Sequence, residues 1–87
     1  MTDEDIKFRQ WFIDNLNGEN CTIAFDKKDG SLREMFCTLS DEVIIENPEY
    51  DQKDYLRIYD LKAQAYRSFI WDNLISYRFE EQKQEVA

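Results

Sequence analysis

Apolar and polar positions follow two periods along this chain, and the switch between them marks out its elements. Between Asp3 and Leu16, Ile6, Arg9, Phe12, Ile13 and Leu16 fall close to one face, with Phe8 and Trp11 beside it. That is helical spacing. Thr2 and Asp5 stand at capping-box spacing, and Asp3, Glu4 and Asp5 put negative charge in the first turn, where the helix dipole favours it. Gly18 is a natural terminator, so the pattern predicts a helix over 3–16. Its stripe is expected to lie on a core, with Trp11 and Phe8 either widening that stripe or forming an exposed partner surface.

From Cys21 the period drops to two. Cys21 to Phe25 and Leu32 to Leu39 read as strands around Lys28-Asp29-Gly30, where Asp29 and Gly30 supply turn chemistry. A three-residue loop with a glycine bulge sets Cys21 against Cys37, Ile23 against Met35 and Phe25 against Arg33. A four-residue loop would shift that pairing by one. Ser40 to Asp54 holds six acids, one lysine and the only proline, and reads as an acidic loop. Within it Val43-Ile44-Ile45 is a short strand or a buried tether. Tyr55 to Asp60 alternates again, and Lys62 to Ala65 turns the chain without Gly or Pro.

The stretch Tyr66 to Phe79 organises the rest. Tyr66, Ser68 and Ile70 alternate with Arg67, Phe69 and Trp71; Asp72-Asn73 interrupts, and Ile75, Tyr77 and Phe79 resume the pattern. This predicts two short strands about a tight polar corner. Residues 80–87 read as a polar tail. The whole is expected to be one domain over 1–87, α+β and mainly β, with a helix at 3–16 and a bent barrel of about five strands over 20–79. Closure protects the edges of short strands. An open helix-on-sheet sandwich is the alternative.

Charge narrows the function classes. Nineteen acidic against eleven basic residues leave a net charge of −8, which repels phosphate backbones and disfavours non-specific nucleic-acid binding. It suits solubility, a basic partner, or mimicry of a nucleic acid. No apolar run is long enough to span a membrane and no signal-peptide pattern opens the chain, so a cytoplasmic location is expected. Catalysis finds little support. There is no histidine to act as a base near neutral pH and no glycine-rich phosphate loop. Cys21 and Cys37 lack CxxC spacing, and the acids at 41, 42, 46, 49, 51 and 54 lack calcium-loop spacing. Buried, reduced thiols, no metal and no cofactor are expected.

The binding candidates lie on the Tyr66–Trp71 strand. Arg67, Phe69 and Trp71 share one face, and Tyr66, Ser68 and Ile70 the other. One face must be core, so the other presents an Arg–aromatic cluster or a Tyr-Ser-Ile stripe. An arginine beside aromatics suits stacking a base, clamping a phosphate or anchoring a protein contact. Alternatively Arg67 pairs with Asp60 or Asp72 and seals the barrel edge. Arg67, Phe69, Trp71 and Tyr66 are the candidate binding residues.

Two segments resemble a known family. Cys21 to Leu39, with its Lys-Lys-Asp-Gly turn and Cys-Thr-Leu end, looks like a first hairpin. Ile58-Tyr59-Asp60-Leu61, Tyr66-Arg67-Ser68-Phe69 and Asp72-Asn73-Leu74-Ile75 look like a closing one. Together, over roughly residues 18–77, they resemble the small WYL-like proteins of tailed bacteriophages, with their Sm-like or SH3-type β-barrel. Tyr66 stands where that family more often carries Trp. The resemblance implies a small SH3/Sm-like barrel and a non-enzymatic phage module in the cytoplasm of an infected bacterium. Its expected partner is a host or phage protein. A nucleotide or single-stranded nucleic acid is the alternative ligand, and an acidic nucleic-acid mimic a third reading.

Overall fold

In the computed structural model, which describes residues 1–80, the chain enters through α1 (Asp3–Leu16). The expected capping box is complete: the Thr2 hydroxyl accepts from the Asp5 N–H at 3.1 Å, and the Asp5 carboxylate accepts from the Thr2 N–H at 3.2 Å. Phe12, Ile13 and Leu16 are buried, Phe8 packs against the core from its margin, and Trp11 is half-exposed. Ile6, placed on the stripe by spacing, is exposed.

β1 (Cys21–Asp26) and β2 (Leu32–Thr38) form the predicted hairpin in the three-residue-loop register, with Cys21 opposite Cys37, Ile23 opposite Met35 and Phe25 opposite Arg33. The turn explains the register. Gly30 donates its N–H to the Lys27 carbonyl and takes φ 86°, a left-handed conformation that costs a residue without Cβ little. Asp29 accepts from both the N–H and the hydroxyl of Ser31 and fixes the loop.

The acidic segment departs from expectation. Asp41–Glu46 is a short helix, α2, not a loop, strand or tether. Ser40 caps it by accepting from the Val43 N–H, and Asp41 and Glu42 occupy its first turn. Only Val43 of the apolar triplet is buried; Ile45 points to solvent. β-branched residues lower helix propensity but do not forbid it, and here the cap and the burial of one valine decide.

β3 (Tyr55–Asp60), β4 (Ala65–Ile70), a 3-10 turn (Trp71–Asn73) and β5 (Leu74–Phe79) complete the chain. The five strands form one antiparallel sheet in the order β4-β3-β2-β1-β5. β4 and β5, neighbours in sequence, therefore lie at opposite edges. The Asp72-Asn73 corner does not make a hairpin but carries the chain from one edge of the bent sheet to the other. Phe12 of α1 spans the gap: its ring lies 6.3 Å from Phe69 on β4, 5.7 Å from Trp71, and 5.4 and 5.5 Å from Tyr77 and Phe79 on β5. Side chains thus close the barrel where the ladder does not. The tail expected over 80–87 lies, apart from Glu80, outside the described residues. Among the described residues no helix is long and apolar enough to cross a membrane.

Cys21 and Cys37 are free, fully buried and directly opposed, and the Cys37 thiol lies 3.4 Å from the Cys21 carbonyl it points at. Burial pushes the Cys21 thiol up to about 11 from an ordinary 9.0, and Cys37 higher still. Native protein is therefore expected to resist Ellman's reagent at pH 8, whereas denatured protein releases two equivalents. The unfolded chain ionises these thiols first as pH rises, so their contribution is complete below about pH 9. It falls above that at up to ~1.4 kcal/mol per pH unit for each thiol. Denaturant titrations at pH 8, 9 and 10 read that slope; a flat profile would show the thiols to be accessible.

Candidate binding cleft

An open cleft of about 830 Å³ runs from the β1–β2 turn along β4 from Tyr66 to Ile70. Its residues come from both faces of the sheet: Phe25, Arg33, Arg67 and Phe69 from the inner face, and Tyr55, Arg57, Tyr66, Ser68 and Ile70 from the outer. The turn adds Lys27 and Lys28. Five of the eleven basic residues, Lys27, Lys28, Arg33, Arg57 and Arg67, thus line the cleft, against three of the nineteen acids. Within this cleft of an acidic chain, bases outnumber acids.

Behind the inner wall lies Asp60, only 4% exposed at the end of β3. Its Oδ1 accepts from the Lys62 and Ala63 N–H groups, each at 3.0 Å, which organises the turn into β4. That turn ends with Gln64 at φ 54°, a left-handed residue where the sequence offered no glycine. The other oxygen, Oδ2, lies 3.2 Å from Arg67 Nε and 3.5 Å from Arg33 Nη2. One buried carboxylate therefore holds two guanidiniums at the mouth of the barrel. Arg67 uses its inner nitrogen for this contact, and its side chain remains 43% exposed.

The outer wall is a chain of contacts from β3 to α2. The Arg57 guanidinium lies 5.7 Å from the centre of the Tyr66 ring and donates through Nε to Asn47 Oδ1 at 3.2 Å. The Tyr66 hydroxyl donates to the Glu46 carboxylate, and its ring meets Tyr59 edge-on at 5.3 Å. The hydrogen bond to Glu46, followed by desolvation, pushes the Tyr66 phenol up to about 12. Tyr66 thus ties β4 to α2.

Of the four residues singled out from sequence, Arg67, Tyr66 and Phe69 line this cleft, Phe69 as a core ring at its floor, and Trp71 lies outside it. Phe69 is 2% and Trp71 6% exposed; both are core, and the Arg9 guanidinium lies 4.9 Å from the Trp71 ring centre. The Arg67–Phe69–Trp71 face is the inner one, so only its arginine, at the open end, reaches solvent. Arg67 also makes the expected pairing, with Asp60 rather than Asp72. Sequence reading missed Lys27, Lys28, Arg33, Arg57 and Tyr55 as neighbours of Arg67. The only signal was Arg33 opposite Phe25, which placed it on the inner face.

No curated protein and no solved structure matches the chain. A family model described as WYL_2, Sm-like SH3 beta-barrel fold matches residues 10–75, from within α1 to the start of β5. That match covers most of the 87 residues, and the five-stranded antiparallel sheet with one main helix is consistent with it. The chain belongs to the WYL_2 family of Sm-like SH3 β-barrel folds.

Proposed function

We propose that this chain is a non-enzymatic binding module that takes an acidic surface of a partner protein into the cleft beside β4. The observation that carries this reading is the convergence of five basic side chains on one cleft of a chain with net charge −8. Charge sorted in this way steers a partner of opposite local sign to one side of the molecule. Arg67, fixed by Asp60 yet 43% exposed, is the expected anchor, because its planar fork loses little freedom on pairing with a carboxylate. The resemblance to small phage proteins supports a host or phage protein, met in an infected bacterium, as that partner.

A second reading is favoured by one further observation. Tyr55, 40% exposed, shares the cleft with Arg33, Arg57 and Arg67, and a ring beside guanidiniums suits a nucleotide or a short single strand. A nucleotide panel in a thermal-shift assay separates the two readings. The protein reading expects no stabilisation by nucleotides and recovery of a partner by affinity capture from infected cells.

Arg67→Ala tests the site itself. Its pairing with Asp60 is partly exposed, so removing it is expected to cost no more than ~1 kcal/mol of stability. Affinity for the captured partner is expected to drop about tenfold or more, and Arg67→Lys is not expected to restore it, since a point charge lacks the fork. Lost stability with unchanged affinity in the folded fraction would remove Arg67 from the binding site.

A further inference from the structure

We infer that the cleft binds its partner by strand addition: an extended segment of another protein, carrying acidic residues, pairs with the outer edge of β4. This rests on the cleft reading above and specifies its geometry.

Backbone accounting leads to it. Trp71 donates its N–H to the Asp54 carbonyl, which makes that pair a hydrogen-bonded one in the ladder between β3 and β4. Pairs alternate along an antiparallel ladder, so Phe69, Arg67 and Ala65 also spend their backbone groups on β3. Tyr66, Ser68 and Ile70 must then direct their N–H and C=O groups away from it. The same parity appears on β3. Arg57 donates to the Tyr50 carbonyl and Tyr55 accepts from the Gln52 N–H, both on the side away from β4. β4 is a terminal strand, and among the described residues Tyr66, Ser68 and Ile70 find no backbone partner on their outer side.

The two edges of the sheet differ. The β1–β5 ladder shifts register between Ala24 and Phe25, a bulge of the kind that spoils an edge as a template. β4 stays in register with β3 over six consecutive pairs and contains neither proline nor lysine. Its one inward charge, Arg67, is held by Asp60. β4 is therefore the straighter edge, and it is the one the cleft follows.

The flanking charge selects the occupant. An added strand sends alternate side chains to the two faces of the sheet. One set would meet Arg33 and Arg67 with the lysines of the turn; the other would meet Arg57 and Tyr66. Acids on either set find a cation. A second copy of this chain is disfavoured as occupant by its own charge of −8.

The test uses the whole chain and random 12-residue peptides displayed on yeast. Panning is expected to enrich peptides with acids at alternate positions. At saturation with the strongest such peptide, the amides of Tyr66, Ser68 and Ile70 should exchange about tenfold or more slowly, while those of Arg67 and Phe69 change little. Ser68→Pro removes an outward N–H without touching the β3 ladder, and should weaken that peptide about tenfold or more; Ser68→Ala should not. Failure to recover alternating acidic peptides overturns the proposal. If Arg67→Ala weakens the peptide but the three amides stay unprotected, strand addition fails and the cleft reading survives; if neither responds, both fail. Protection of these amides without peptide overturns it in favour of a second copy when it rises with protein concentration, or of residues 81–87 when their deletion abolishes it.

Discussion

Phe12→Ala is expected to be the most damaging single change in the molecule, at a cost of about 3–5 kcal/mol. The ring is fully buried and meets Phe8 in its own helix, Phe69 on β4, the Trp71 ring, and Tyr77 and Phe79 on β5. Its removal opens a cavity among large, rigid aromatics that fill space poorly by shifting. It also removes a side chain that bridges both edges of the sheet. Small domains hold only ~5–15 kcal/mol in reserve, so thermal denaturation should move down by about 15 °C or more. Phe12→Leu keeps most of the volume and should lose far less. A drop of only a few degrees for the alanine variant would mean that α1 rests on the barrel without forming part of its core.

Asp60→Ala is expected to cost about 2–3 kcal/mol, and the mechanism has two parts that Asp60→Asn separates. The alanine variant deprives the Lys62 and Ala63 amides of their acceptor and leaves Arg33 and Arg67 without a carboxylate. Both guanidiniums are partly exposed and rehydrate, so the ionic part is the smaller one. Asparagine keeps an oxygen for the turn amides while abolishing the charge, and should lose only about 1 kcal/mol. Equal losses in the two variants, measured by denaturant titration, would instead place the stability in the ion pairs. Either variant should also loosen Arg67 and lower affinity at the cleft by more than it lowers stability.

Local rules carried the sequence reading where neighbours in the chain are neighbours in space. The α1 cap and the register of the β1–β2 hairpin rest on a few residues each, and both were legible. α2 was not, because Val43-Ile44-Ile45 has strand propensity and the signal for helix lay in a single serine cap followed by two acids. The separation of β4 from β5 was hidden for a different reason. Asp72-Asn73 is good turn chemistry, and nothing local distinguishes a turn that folds a hairpin from one that crosses a barrel. Alternation grouped Arg67 correctly with Phe69 and Trp71 but left open which face was core. The site itself is non-local: Lys27, Arg33, Arg57 and Arg67 come from a turn and three strands, and their convergence exists only in the folded sheet.

The interior place of β1, paired on both sides, has a consequence for how the molecule is made. Its hairpin partner β2 ends at Thr38, but its other edge waits for β5, where Cys21 meets Phe79. At the ~5–20 residues per second of synthesis, roughly forty further residues take a few seconds to appear. Through that interval a nascent chain exposes the unpaired edge of β1, and long-range pairing of this kind is expected to slow refolding as well. Ribosome-stalled chains ending before Leu74 are therefore expected to recruit chaperones that the finished protein does not need.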